Sequence, residues 1–274
     1  MIRLAVFGSP IAHSLSPRIH GLFAGQCGME VDYRALEATA ETFPGRVRAL
    51  AENGGRGCNV TIPFKHAAWK LAERASDGAA RAQAANTLLF EQPDAWYADN
   101  TDGPGLVNDL ATLSGGRLAG ARVCLLGAGG AAAGVLAALL QARPRRLLLA
   151  NRTLERARDL AGRHGDLGRV DVCAPAEIGS RAPFDLLINS TSLGHQRAAP
   201  ALAREWLAPG GLCYDLNYGD AAEPLRLACA SLGLAYSDGL GMLVEQAALS
   251  FELWTGRRPD PAAVLAELRG AGRK

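Results

Sequence analysis

ARVCLLGAGGAAAGVLAALL, residues 121–140, decides the fold. Val123, Cys124, Leu125 and Leu126 read as a short buried strand that runs directly into Gly127-x-Gly129-x-x-Ala132 and then an alanine- and leucine-rich helix. A glycine-rich turn in that setting is the dinucleotide-binding fingerprint. Its glycines let the backbone turn tightly and approach a pyrophosphate, while the free N–H groups and dipole of the helix N-terminus favour the negative charge. Gly127, Ala128, Gly129, Gly130 and Ala131 are the expected phosphate cradle; the competing reading is a glycine turn in an alanine-rich protein. The uncharged run 123–142 is also about long enough to span a bilayer. Its Gly-Ala-Gly-Gly break and weakly hydrophobic alanines favour strand, turn and helix.

The next strand, RRLLLA, ends where an acidic residue would hold the ribose of NAD. Asn151-Arg152-Thr153-Leu154-Glu155-Arg156 stands there instead, with no carboxylate at the strand end. Arg152 could pair with an extra phosphate through its planar fork and Arg156 could reach it one helical turn on, which favours NADP. The plainer alternative is Thr153 as an N-cap followed by solvated arginines.

Outward from this unit, short apolar runs at 3–7, 32–36, 57–60, 87–90, 96–98, 123–126, 147–150, 170–173, 186–188 and 212–214 alternate with helix-length stretches. That is the pattern of a parallel α/β protein. The polar segment 113–121, with three glycines, reads as a joint before a second α/β unit begins at Arg122. We expect two α/β units on either side of it. Polar, small residues recur after the strands of both halves, and open α/β sheets bind ligands at those ends. Two sheets with such ends facing each other would form one cleft.

Composition narrows the function. The 29 Lys and Arg against 27 Asp and Glu give a net charge of +2, which offers no basic surface for nucleic acid. With 49% hydrophobic and 20% charged residues the chain is that of a folded globular protein. The six cysteines, at 27, 58, 124, 173, 213 and 229, form no C-x-x-C pair and no cluster at metal-ligand spacing, so neither a disulfide framework nor a metal site is expected. The first residues, MIRLAVFGSP, hold too short an apolar run for a signal peptide, and a cytoplasmic enzyme is expected. No G-x-S-x-G elbow occurs and no histidine pairs with a nucleophile, so hydrolysis is unsupported.

In the first half, Lys65 stands out because the chain uses Arg 26 times and Lys only at 65, 70 and 274. In Asn59-Val60-Thr61-Ile62-Pro63-Phe64-Lys65 a strand ends and Pro63 suits the first turn of a helix, so Lys65 falls where the dipole disfavours a cation. That position favours a lysine that can give up its proton, as acid–base chemistry at neutral pH needs and Arg cannot provide. A first-turn lysine that merely reaches solvent is the alternative. Asp102 precedes a helix expected over 104–113 and reads either as its N-cap or as a carboxylate that binds a substrate hydroxyl and pairs with Lys65. Ser16, before Pro17, is a good N-cap, yet in an extended loop the hydroxyls of Ser14 and Ser16 could face one ligand. Asn86 and Gln246, taken alone, are ordinary polar residues.

FGSPIAHSLSPRIH, GCNVTIPFK, AANTL, DNTDG, GAGGA, NRTLERA and DGLGMLVEQAA follow one another in the order and approximate spacing of one family, and the chain resembles shikimate dehydrogenase over nearly its whole length. The resemblance implies NADP-dependent reduction of 3-dehydroshikimate to shikimate in aromatic amino-acid biosynthesis. It implies that Ser14, Ser16, Thr61, Asn86, Asp102 and Gln246 hold the substrate, that Lys65 and Asp102 are the catalytic pair, and that Tyr218 lies on the substrate side. It places Leu216 and Gly239 beside the nicotinamide and returns the tail from about 238 to the first domain, which implies a substrate-binding α/β domain from 1–101 plus 238–274 and a Rossmann-type NADP-binding domain from 102–237. Two segments depart from the family pattern. His195 closes Thr191-Ser192-Leu193-Gly194 where the family usually has Met, and 219–224 lacks the usual proline and threonine. The alternatives are a quinate/shikimate dehydrogenase that uses NAD, against which Arg152 and Arg156 argue, and a non-catalytic NADP-binding module, against which Lys65 and Asp102 argue. A small-molecule substrate, no membrane partner and a monomer or homodimer complete the expectation.

Overall fold

A computed structural model describes residues 1–92, 94–114 and 118–271. Of the expected joint at 113–121, residues 115–117 lie outside the described residues. The chain divides into two units, Met1–Gly105 with Leu243–Lys274, and Leu106–Met242.

In the second unit, β7 (Arg122–Leu126), β8 (Arg146–Ala150), β9 (Val170–Cys173), β10 (Phe184–Asn189), β11 (Leu207–Asp215) and β12 (Ala235–Ser237) form one parallel sheet in the order β12-β11-β10-β7-β8-β9. Helices α6 (Gly130–Gln141), α7 (Leu154–Gly162) and α8 (Glu223–Ser231) connect its strands, and α5 (Asp102–Ser114) leads into it. Along β7, Val123 and Leu125 enter one core with Leu149 and Ile188, whereas Cys124 and Leu126 enter another with Leu148 and Leu187. Both faces are covered, which is why these strands read as unbroken apolar runs. The order reverses between β7 and β10, the topological switch point at which doubly wound sheets bind ligands. Among the described residues no helix is long and apolar enough to cross a membrane.

The first unit is less regular than a parallel pattern predicts. Its sheet runs β2-β1-β3-β5-β6-β4, from β1 (Ile2–Gly8), β2 (Val31–Glu37), β3 (Gly55–Val60), β4 (Arg74–Ala75), β5 (Thr87–Gln92) and β6 (Ala95–Asp99). β5 is antiparallel to both β3 and β6, so this sheet is mixed. Only two positions separate β5 from β6, too few for the crossover that parallel neighbours need. Helices α1 (Ser16–Cys27), α2 (Phe43–Glu52), α3 (Lys65–Leu71), α4 (Asp77–Ala82), most of α9 (Leu240–Thr255) and α10 (Pro261–Ala271) complete it. Phe7, Phe43, Val47, Cys58, Leu88 and Phe90 make its main core. On the opposite side of β3 and β5, Asn59, Thr87 and Ser250 are buried together and are polar.

Trp254 locks α9 onto this sheet by donating its indole N–H to Leu88 O at 2.9 Å. It lies over Gly57, where a Cβ would overlap both Leu88 O and the indole nitrogen. Gly57→Ala is therefore expected to destabilise the protein by about 2–3 kcal/mol, the cost of overpacking a tight core. Gly25 in α1 faces open space, and Gly25→Ala should be neutral or stabilising by about 0.5–1 kcal/mol. Urea midpoints of the two variants, each against the parent, measure both effects.

Candidate active site

β3 ends at Val60, and a turn closed by Phe64 N donating to Thr61 O at 2.9 Å delivers the chain to α3. The helix opens at Lys65 rather than at Pro63, which stays in the turn, so Lys65 is its first residue. Lys65 Nζ donates to Asp102 Oδ2 in an ion pair whose side chains are 21% and 9% exposed. The first-turn position read from the sequence is therefore joined to a nearly buried carboxylate. A lysine and an aspartate held this way can exchange a proton with a bound oxygen without losing their mutual orientation.

Asp102 is not the N-cap of α5 but its first residue. Thr101 O accepts the first helical bond, from Gly105 N at 2.9 Å, and Asn100 Oδ1 takes Asp102 N at 3.2 Å, so the capping contact falls to Asn100. The carboxylate of Asp102 is thus spared backbone duty. It sits in a helical first turn, where the dipole favours negative charge.

Asn86 organises the rest. Its Nδ2 lies 2.8 Å from Thr101 Oγ1, 2.9 Å from Asp102 Oδ1 and 3.0 Å from Gln246 Oε1. An amide nitrogen has two hydrogens, so three acceptors exceed what it can satisfy, and acceptor capacity remains at Asp102 and Gln246 for a ligand hydroxyl. Asn86 Oδ1 accepts from Thr101 N and Thr87 Oγ1, both at 2.9 Å, which fixes the amide's direction. Gln246 reaches this point because α5 and α9 touch at Gly105, where a Cβ would lie 2.7 Å from Gln246 N.

The structure thus brings Lys65, Asn86, Asp102 and Gln246 into one hydrogen-bonded group. Thr61 joins the end of β1, its Cγ2 occupying the space that a Cβ at Gly8 would need. The Ser14–Ser16 loop is not extended: Ser14 N donates to Ile11 O at 3.0 Å and Leu15 is helical. Ser16 is consequently the first residue of α1 rather than its cap, and Ser14 Oγ accepts its N–H at 3.2 Å. Sequence reasoning missed Asn59, whose Nδ2 donates to Asn86 O at 3.1 Å and whose Oδ1 accepts from Tyr33 at 2.7 Å. A polar residue between the core residues Cys58 and Val60 was the available signal.

In the second unit Gly127 adopts a positive φ of 101° beside Ser190. A Cβ at Gly129 or Gly130 would meet nothing within 4 Å, so the bare backbone there avoids no protein atom and stands open. The first helical bond of α6 is Ala133 N to Gly129 O at 3.0 Å, leaving the amides of its first three residues, Gly130 to Ala132, without a helical partner, the arrangement that a helix N-terminus offers an anion. Ala128 is different: its N–H donates to Asn151 Oδ1 at 3.1 Å, and Asn151 Nδ2 donates to Thr153 O at 2.8 Å. Asn151 thereby ties the glycine turn to the end of β8. Thr153 stands at the N-cap of α7 without a side-chain capping bond. Arg152 and Arg156 are exposed and enter no ion pair among the described residues.

Leu216 and Gly239 are in direct backbone contact, since a Cβ at Gly239 would overlap Leu216 O. Asp215 holds this corner, its Oδ1 accepting from Asn189 Nδ2 at 2.9 Å and from Asn217 N at 3.0 Å. Burial pushes the Asp215 carboxyl up to about 6. Tyr218 is partly buried at the start of a short 3-10 turn, and burial raises its phenol. The two departures from the family pattern meet: Gly194, next to His195, packs on Ala221 so closely that a Cβ would overlap its carbonyl.

A doubly wound sheet with a bare glycine turn in one unit, and a lysine–carboxylate pair set among amide and hydroxyl side chains in the other, define a pyridine-nucleotide-dependent oxidoreductase. Comparison with known proteins makes this specific. Residues 6–88 match the family described as the shikimate dehydrogenase substrate binding domain, 109–205 match shikimate / quinate 5-dehydrogenase, and 239–269 match the shikimate 5'-dehydrogenase C-terminal domain. A shikimate dehydrogenase (NADP(+)) of Methylococcus capsulatus is 48% identical over 274 residues, covering 99% of this chain and 97% of that protein. The structure of shikimate 5-dehydrogenase from Thermus thermophilus with NADP(H) and shikimate superposes with a TM-score of 0.84 at 34% identity, over 99% of this chain and 100% of that one. An Ael1 enzyme from Pseudomonas putida gives 0.89 at 41% identity, over 98% of each chain. The chain belongs to the shikimate dehydrogenase family.

Proposed function

We propose that the protein catalyses the reversible reduction of 3-dehydroshikimate to shikimate with NADPH. The observation that carries this reading is the Lys65–Asp102 pair, held by Asn86 beside Gln246. NADPH, when bound, supplies the hydride that the carbonyl carbon receives. Lys65 gives the carbonyl oxygen its proton, and in the reverse direction takes it back. Asp102 keeps the ammonium aimed and uses its remaining acceptor capacity on a neighbouring substrate hydroxyl. Asn86 and Gln246 hold the same ring hydroxyls, while Ser14, Ser16 and Thr61 bind the carboxylate side. Tyr218 completes the substrate set.

The amides of Gly129, Gly130 and Ala131 receive the pyrophosphate, with Gly127 shaping the turn and Asn151 bracing it through Ala128. Arg152 and Arg156 take the 2′-phosphate from the strand end and the first turn of α7, with Thr153 between strand and helix. Leu216 and Gly239 line the nicotinamide. A cytoplasmic location and a monomeric or homodimeric state belong to this reading as expectations from the sequence.

Lys65→Ala should lower turnover by about 10²–10⁴-fold, the usual contribution of a positioned acid or base, while the shikimate dissociation constant changes only a few-fold. Steady-state rates beside direct titration of shikimate measure the two quantities, and equal losses in both would make Lys65 a binding residue only. Arg152→Ala should raise the KM for NADP by about 10–100-fold through loss of a charge-assisted contact, leaving the KM for NAD unchanged. An unaltered NADP-to-NAD ratio in that variant and in Arg156→Ala would remove both arginines from the cofactor site.

A further inference from the structure

The hydrogen bonds beneath Asn86 lead to a group that no step of the proposed reaction uses. His20, in α1, is completely buried. Its ring lies flat against Tyr33, with centroids 4.2 Å apart and planes 9° from parallel, and Trp254 closes another side at 5.5 Å. Nε2 stands 3.2 Å from Asn59 Oδ1, whereas Nδ1 is buried with no hydrogen-bond partner among the described residues. Burial pushes the imidazole down to about 3, so the ring is neutral at working pH and carries one proton.

The location of that proton follows from Asn59. Asn59 Nδ2 lies 3.1 Å from Asn86 O, a carbonyl that can only accept, so the amide nitrogen faces Asn86 and Oδ1 faces His20. Tyr33 OH donates to the same Oδ1 at 2.7 Å and also lies within hydrogen-bonding reach of Ser16. Nε2 must therefore carry the hydrogen, leaving a bare lone pair on Nδ1 in aromatic surroundings. An unpaired buried acceptor is unfavourable, and an apolar side chain of similar size would avoid it. The hydrogen bond from Nε2 to Asn59 is what distinguishes histidine here from phenylalanine or leucine.

We propose that His20 is a positioning residue: its Nε2–H fixes the Asn59 amide, which holds the main chain of Asn86 and, through Tyr33, the neighbourhood of Ser16, and so sets the geometry of the groups that hold the substrate's hydroxyls and carboxylate without touching substrate. The proposal rests on the substrate site proposed above. His20 acts on one side of the reaction only, because every member of the chain from Ser16 to Asp102 belongs to the first unit.

The test compares His20→Leu, which removes the donor, with His20→Gln, which can restore an N–H toward Asn59. His20→Leu should raise both the KM and the dissociation constant for shikimate about tenfold, leave the KM for NADP unchanged, and be largely rescued by Gln. An unchanged shikimate KM, a loss confined to stability, or equal rises for both ligands would overturn the proposal. Nitrogen-15 NMR of the parent protein's imidazole keeps the idea falsifiable even if neither variant folds. It should show a non-titrating Nε2–H tautomer between pH 5 and 9, and an Nδ1–H tautomer would refute the positioning role. Absence of shikimate turnover in the parent would instead refute the substrate reading, a result that the tautomer measurement keeps separate.

Discussion

The Asn86 amide is the contact on which the first unit's site depends. With two hydrogens set among Thr101, Asp102 and Gln246, it draws together the end of β6, the start of α5 and the middle of α9. The antiparallel turn of β5 is what brings Asn86 to this place, because its backbone pairs with Val60 on one side and Asp99 on the other. Gly105 then lets α9 approach until Gln246 touches the amide. Lys65 is held in turn by Asp102, so the candidate proton donor is anchored to the sheet through one carboxylate. Such a buried polar group is useful only if it is nearly satisfied, since each missing partner would cost about 1–3 kcal/mol. The shortage of hydrogens at Asn86 leaves acceptors for a polyhydroxylated ligand to fill.

The second unit uses the same device for a different end. Asn151, Asn189 and Asp215 follow or finish β8, β10 and β11, and each spends its side chain on loop backbone or on a neighbouring strand end. Apolar strands buried on both faces cannot orient the loops beyond them, and short polar side chains at the strand ends can. Asn151 shows the consequence most clearly. It takes the Ala128 amide that a simple reading of the fingerprint offers to phosphate, so that amide is already paired within the protein.

Much of the fold was legible because its signals are local. All ten expected strands fall on observed strands, whereas β4 and β12, two and three residues long, carry too few side chains to show a pattern. The direction of β5 was invisible in apolar periodicity, which is the same for parallel and antiparallel neighbours; the two-position gap before β6 was the clue. Lys65 stood out because lysine is rare in this chain. Asn86 and Gln246 did not stand out without a family to compare, because their meaning lies in a contact between positions 160 residues apart. The caps at Ser16 and Asp102 were misplaced by one position for a related reason. Serine and aspartate before a helix suit both the cap and the first turn, and the choice here was made by Ser14 and Asn100, which took the capping contacts.

On the function proposed above, the Lys65–Asp102 pair and the arginines that follow β8 serve one NADP-dependent reaction on shikimate. Initial rates of cofactor reduction by the purified protein, with shikimate or quinate crossed against NADP or NAD, test it most directly. Turnover concentrated in the pairing of shikimate with NADP is the predicted result. Comparable rates with quinate or NAD, or tight NADP binding with no turnover in any pairing, would contradict it.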